Sequence, residues 1–301
     1  MEKWILDTDI GNDTDDSMAI GLILAQSDIE LMGITTVSGN PLARARFAQA
    51  ICANTGKNIP IHCGNEYSLS GSIVQSHLIA GALEVAEGNS ESDLSEENTA
   101  VQFIKRTVEE NPNEITLVAI GQLTNIALLF SVYPHIPKLL KALVIMGGRY
   151  FERDYCDLNH WGTTEWNIKC DPYAAAIVFQ AQVKECYVVG VDESCKFYKN
   201  ATEVKNKIKN IPYMEPVAES LKYHKANDLV WFHDAVVMWG YLNKERLKWK
   251  KGNIKVEVLD SREASTKLYE DENGIHNVLV DVDINEFFDY YAQQMGFEWG
   301  Q

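Results

Sequence analysis

The chain is 301 residues long and 46% apolar, enough for one large core or two domains. With 43 acids against 27 bases its net charge is −16, which argues against nucleic acid or an anionic membrane surface as a partner. No apolar run approaches the roughly 20 residues of a membrane span, so no membrane partner is expected.

The first element is a short apolar strand, Trp4 to Leu6 with Met1 nearby. It leads into Asp7-Thr8-Asp9-Ile10-Gly11-Asn12-Asp13-Thr14-Asp15-Asp16, five carboxylates in ten residues. Gly11 and Asn12 read as a turn, and Ser17 to Ala25 as a buried helix. A β-branched strand follows over Glu30–Val37, then an Ala-rich helix over Leu42–Thr55 with Gly56 as its C-cap, and a short strand over Ile59–His62. Gly88 to Glu96 is the most polar segment and reads as a surface loop. Glu96 to Asn111 is helical, capped by Ser95 and ended by Asn111-Pro112.

Strand Glu114–Ile120, helix Asn125–Tyr133, strand Leu140–Met146, helix Pro172–Ala181 and strand Glu185–Val191 continue the alternation. Beyond Ser194 the pattern turns more helical, over Thr202–Lys209, Glu215–Lys225 and Ala235–Leu242. Two strands, Ile254–Leu259 and Val278–Val282, and a last helix from Asn285 complete the chain. This order specifies an α/β fold: an open, mostly parallel, Rossmann-like sheet flanked by helices, with extra helices in the C-terminal half. Lacking a linker or internal repeat, residues 1–301 read as a single domain. The first strand starts too near Met1 for a signal peptide. Cys52, Cys63, Cys156, Cys170, Cys186 and Cys195 show no C-x-x-C spacing, so a cytoplasmic protein with reduced thiols is expected.

The acids after the first strand fall where open α/β sheets bind ligands. Two carboxylates about 4 Å apart repel by roughly 4 kcal/mol at an effective dielectric near 20, and a helix N-terminus offsets only ~0.3–1 kcal/mol per acid. A divalent cation offsets far more, and oxygen-only ligands select Ca²⁺ or Mg²⁺ over zinc. The competing reading is a solvated acidic loop that caps a helix.

Further polar groups follow the other strands. Asp7-Thr-Asp9…Asp15-Asp16, Ile34-Thr-Thr-Val-Ser-Gly-Asn40, Val118-Ala-Ile-Gly-Gln-Leu-Thr-Asn-Ile126, Met146-Gly-Gly148, Glu165-Trp-Asn167 with Asp171-Pro172, and His233-Asp-Ala235 occur in that order. As a set they resemble the inosine-uridine nucleoside hydrolase family over residues 5 to about 240. The resemblance implies a Ca²⁺-dependent enzyme that splits the N-glycosidic bond of ribonucleosides, and an assembly as homodimer or homotetramer. It implies Asp9 as the base that deprotonates a calcium-bound water and also as a ligand. Asp16 (bidentate), Asp234 and the backbone carbonyl of Ile120 would be the other ligands. Asp15, Asn40, Asn159, Glu165 and Asn167 would hold the ribose, and His233 would sit near the base and protonate it as it leaves.

Physical chemistry fits those roles: carboxylates stabilise an oxocarbenium-like ribosyl cation, and histidine ordinarily titrates near neutrality. Each residue also has a plain structural reading. Asn40 could close a turn, Asn125 cap a helix, His233-Asp234 start one, and Trp161, Trp166, Trp231 and Phe232 pack rather than stack on a base. Tyr223 and His224 are further candidate base contacts. Two extra residues, Asp13 among them, separate Asp9 from the Asp15-Asp16 pair, and the stretch Ser70–Leu94 lacks the family's histidine-glycine loop, with His77 the nearest candidate.

Two other classes fit less well. A haloacid-dehalogenase-like phosphatase needs a late G-D-x-x-x-D that is missing, and an EF-hand needs Gly and Glu at loop positions that lack them. A nucleoside-binding protein without catalysis is countered by the presence of Asp9 and His233.

Overall fold

The computed structural model describes residues 1–89, 93–95, 97–153, 164–225, 228–259 and 264–299. The strands are β1 (Glu2–Thr8), β2 (Ile29–Thr36), β3 (Ile61–Cys63), β4 (Ile115–Ala119), β5 (Ala142–Met146), β6 (Cys186–Val189), β7 (Tyr198–Asn200), β8 (Leu229–Trp231), β9 (Lys248–Val256), β10 (Thr266–Glu270) and β11 (His276–Asp281). Nine of them form one sheet in the order β3-β2-β1-β4-β5-β6-β11-β9-β10. From β3 to β11 all neighbours are parallel, and β9 and β10 add an antiparallel edge. The chain moves outward from β1 to β2 and β3, then returns to β1's other side with β4. In open α/β sheets such a reversal, here at the carboxyl ends of β1 and β4, is where ligands generally bind.

The central strands read as continuous apolar runs because both faces of a parallel sheet are covered. Every residue of β4 and β5 is buried. In β1, Trp4 and Leu6 enter the core on one face and Ile5 the core on the other. The helices are α1 (Asp15–Ala25), α2 (Pro41–Ala53), α3 (Ala80–Gly88), α4 (Ala100–Glu110), α5 (Thr124–Val132), α6 (Ile136–Leu139), α7 (Trp166–Cys170), α8 (Pro172–Phe179), α9 (Val191–Ser194), α10 (Ala201–Ile208), α11 (Glu215–Ser220), α12 (His233–Leu242) and α13 (Ile284–Met295). Among them α1 packs on α12 and α13. None of these described helices is long and apolar enough to cross a membrane.

The α/β alternation expected from the sequence is present, with shifted bounds. The helix expected from Glu96 starts at Ala100, and Ser95 accepts from the Glu97 N–H ahead of it. The helix expected to Lys225 stops at Ser220 and tightens into a 3-10 turn over Leu221–Tyr223. α3 has no counterpart in the sequence reading: of its residues only Gly81, Ala82 and Ala86 are buried, which leaves little apolar periodicity to detect. β10 has none either, because its TKLYE segment is mostly exposed at the sheet edge.

Candidate active site

At the carboxyl end of β1 the chain turns through Asp9–Thr14 and enters α1, with Asp15 and Asp16 in the first helical turn. α12 lies against α1 and opens with His233 and Asp234. Two helix N-termini therefore aim partial positive charge at one cluster of acids. Ligand oxygens of Asp15, Asp16 and Asp234 all lie within 4.8 Å of one another. Thr8 Oγ1 donates to Asp16 Oδ1 and orients one member of the group. The three face a cavity of about 270 Å³ that is also lined by Asp9, Asn12 and Asp13 on the β1 side. Ile120, directly after β4, also lines it, and the later half of the chain contributes Glu165, Trp166, Asn167 and His233 to its walls.

Among the described residues, no lysine or arginine lines this cavity. Burial and mutual repulsion hold the carboxyls of Asp15, Asp16 and Asp234 well above the ordinary aspartate range. Burial raises Asp9 as well, against the pull of Arg44. Arg44, on α2, is the counter-charge beneath the acids and is completely buried. Its guanidinium donates to backbone carbonyls: Nη1 to Asp9 and to Ile10 (2.9 Å), Nε to Ser38 (2.8 Å) and Nη2 to Gln75 (3.3 Å). One side chain thus ties together the loops after β1 and β2 and the segment ahead of α3. Such an oxygen-only donor set, buried and short of cations, fits a hard divalent ion.

Another wall of the cavity is built at α7. Glu165 caps that helix, Oε1 accepting from Asn167 N (2.8 Å) and Oε2 from Ile168 N (3.0 Å) and Gly148 N (3.1 Å). Its carboxyl is pushed up to about 7, chiefly by burial. Asn167 donates from Nδ2 to the Ile120 carbonyl at 2.9 Å. That carbonyl keeps a second lone pair. Gly121 lies so close to Asp9 that a Cβ there would meet its backbone nitrogen at 2.8 Å and Oδ1 at 2.9 Å. His233 exchanges a 2.8 Å hydrogen bond with Ser194 through Nδ1 and stacks on Trp231 at 5.4 Å between ring centres. Burial lowers it to about 4, below the near-neutral titration expected of it, so the imidazole is uncharged at pH 7.

Asp9, Asp15, Asp16, Ile120, Glu165, Asn167, His233 and Asp234 thus meet in one cavity. The mutually close carboxylate oxygens belong to Asp15, Asp16 and Asp234, a set that includes Asp15 and lacks Asp9. Asn40 is elsewhere: it caps α2 by accepting from Ala43 N (3.0 Å) and borders a separate surface groove. Asn125 does not cap α5. Its amide donates to Asp7 Oδ1 (2.7 Å) and the Thr36 carbonyl (3.1 Å), bracing the strand ends beneath the site. Asp7 itself is buried away from the cavity and pushed up to about 7, chiefly by burial.

Asn159 and Trp161 lie outside the described residues. Phe232 packs in an aromatic cluster with Phe287, Phe288 and Tyr291, while Trp166 lines the cavity. Tyr223 is exposed and donates to Glu84 at 2.5 Å, and His77 is exposed outside the cavity. Sequence reasoning missed Arg44 and Gln75. Neither belongs to a recognisable motif, and an arginine in a helix or a glutamine in an irregular segment ordinarily reads as surface.

A family model described as inosine-uridine preferring nucleoside hydrolase matches residues 4–289. The chain is 30% identical to a probable uridine nucleosidase 2 of Oryza sativa subsp. japonica, over 85% of this chain and 79% of that protein. It is 28% identical to a pyrimidine-specific ribonucleoside hydrolase of Citrobacter koseri, over 97% of each. Among solved structures, a purine-preferring ribonucleoside hydrolase from Gardnerella vaginalis superposes with a TM-score of 0.78 at 22% identity, over 98% of both chains. That likeness establishes the fold.

Proposed function

The chain belongs to the inosine-uridine preferring nucleoside hydrolase family, and from that premise we propose a Ca²⁺-dependent ribonucleoside hydrolase, one domain over residues 1–301, acting in the cytoplasm and assembled as a homodimer or homotetramer. The reaction is water attack at the anomeric carbon, which cleaves the N-glycosidic bond and gives free base and ribose. Uridine is the substrate suggested by the name of the plant relative, and it falls within the pyrimidine class named for the bacterial one. The observation that carries this reading is the convergence of Asp15, Asp16 and Asp234 beside Asp9 in one buried cavity.

Asp15, Asp16 and Asp234, with the carbonyl of Ile120 and a carboxylate oxygen of Asp9, would hold the ion. When bound, the dication offsets the acids' charge and supplies Lewis acidity to the cavity. Asp9 takes the proton of the attacking water on a carboxylate oxygen. Asn167, whose side-chain oxygen can accept from a sugar hydroxyl, and Glu165 orient the ribose. The surrounding carboxylates stabilise the positive charge that grows on the ribosyl ring as the bond breaks. Trp166 walls the cavity. His233, neutral and fixed by Ser194, offers the leaving base a hydrogen-bond partner rather than a stored proton.

A panel of uridine, cytidine, inosine, adenosine and guanosine, read as released ribose, tests the reading. Turnover of at least one is expected, with loss in EGTA and recovery on adding Ca²⁺. Ribose release unaffected by chelator refutes the metal, and no release from any nucleoside refutes the substrate class.

A further inference from the structure

Ser194 and His233 form a buried pair whose hydrogen bonding selects one form of the imidazole. Ser194 is 0% exposed and ends α9, a short turn held from two sides. From the loop after β5, the Gly148 carbonyl accepts from Val191 N (2.8 Å), while Tyr150 N and Phe151 N donate to the two oxygens of Asp192 (3.0 and 3.2 Å). From the end of β11, Val282 N donates to Glu193 (2.9 Å). The His233 ring lies 12° from parallel to that of Trp231, which fixes its plane. Between these two supports, Ser194 Oγ and His233 Nδ1 stand 2.8 Å apart. Among the described residues that nitrogen is the one hydrogen-bond partner of the Ser194 hydroxyl.

A hydroxyl has one hydrogen to donate, and a buried donor left unmet is destabilising. If Nδ1 carried a hydrogen, in the other neutral tautomer or in the imidazolium, it would donate to Oγ and the serine hydrogen would meet no acceptor. A bare Nδ1 accepts that hydrogen and leaves neither atom unmet. This second state is favoured by about tenfold or more. The ring hydrogen then sits on Nε2, the nitrogen that can serve the cavity lined by His233.

We propose that Ser194 is a positioning residue that fixes His233 as its Nε2–H tautomer, so that the cavity presents a hydrogen-bond donor to the leaving base. This rests on the hydrolase reading above. As the N-glycosidic bond of uridine breaks, the electron pair stays with the base and spreads from its ring nitrogen onto the carbonyl oxygens. A donor stabilises that charge, whereas a bare Nε2 would repel it. The base departs as an anion held by Nε2–H, which keeps its hydrogen, and solvent protonates it afterwards.

The direct test is ¹⁵N NMR of the full chain labelled at histidine, with the His233 signals assigned by their loss in His233→Gln. A bare Nδ1 with the hydrogen on Nε2 at neutral pH supports the proposal, and a hydrogen on Nδ1 overturns it, whether or not the protein turns over a nucleoside. Removing one donor from a centre of developing negative charge costs about 100- to 1,000-fold in kcat. Ser194→Ala frees the tautomer and keeps the ring, so it should lower kcat for uridine by about tenfold or more with KM within about threefold. With para-nitrophenyl riboside, whose phenolate departs without help, the same variant should stay within about threefold of the parent. Equal losses on both substrates, or none on uridine, overturn the proposal. Absence of turnover in the parent sinks the hydrolase reading instead and leaves the tautomer to be decided by NMR.

Discussion

Asp234→Asn tests the acid cage where its energetics are most exposed. With oxygens within 4.8 Å of one another, each ionised pair among Asp15, Asp16 and Asp234 repels by roughly 3 to 4 kcal/mol at an effective dielectric near 20. The three pairs together approach ~10 kcal/mol, comparable to the whole ~5–15 kcal/mol stability of a typical fold. Without a cation the cage therefore relieves itself by taking up protons, which is the sense in which all three carboxyls are raised above their ordinary value near 3.8. A carboxyl raised on folding contributes stability that is complete below its unfolded value and lost as pH climbs through its folded value. The chelated parent should then melt lower at pH 8 than at pH 5.

The Asp234→Asn variant loses two of the three repulsive pairs. In EGTA at pH 8 it should melt several degrees above the parent, at roughly 2–4 °C per kcal/mol for a chain of this size or slightly smaller. Added Ca²⁺ should raise the parent's Tm steeply and the variant's little, and the variant's kcat should collapse. Calorimetric melting with and without Ca²⁺ at the two pH values decides it. Equal metal-free Tm values together with equal Ca²⁺-induced shifts would refute the electrostatic argument.

Other perturbations follow from single contacts. Gly121→Ala should cost about 1–3 kcal/mol by overpacking and up to ~100-fold in kcat, because the new methyl meets Asp9 at 2.8 to 3.0 Å; a variant with unchanged kcat would show that Asp9 can yield without consequence. Asp9→Asn should abolish turnover while leaving the fold intact, and wild-type ribose release would discard it as the base. Asn40→Ala should lose about 1 kcal/mol of stability as a missing N-cap and leave KM for uridine alone; a raised KM would return Asn40 to the ribose. Arg44→Met should weaken Ca²⁺ binding measured by calorimetry, since three loops lose their common donor, and Arg44→Lys should not restore it because one ammonium cannot reproduce the planar fork.

The central sheet is readable because its strands obey a rule visible in one dimension. β4 and β5 are buried on both faces, so their sequences are unbroken apolar runs bounded by polar or turn-forming residues. The antiparallel edge obeys a weaker rule. β9, KWKKGNIKV, alternates toward solvent with lysines, and only its last residues read as strand. α3 and the paired β7 and β8 are short, and their burial comes from neighbours distant in sequence rather than from their own periodicity.

At the site the same division separates what a spacing can express from what only a fold can. Asp15 and Asp16 stand out in the sequence because five carboxylates crowd between a buried strand and a buried helix, whereas Asp234 alone reads as an ordinary helix-start acid and is singled out only by the family resemblance. Gln75 and Arg44 are anomalous only once the loops close around them. Asn40 and Asn125 show the reverse: both occur in motif-like strings, yet one satisfies a helix N-terminus and the other braces Asp7. A polar residue's role is set by which unsatisfied group it reaches, and its neighbours in sequence do not reveal that. The acids are the exception because so much like charge needs a counter-charge, and burial removes water as the source. Two helix N-termini and a wholly buried arginine supply part of it, and the remainder is the charge that a bound dication would contribute.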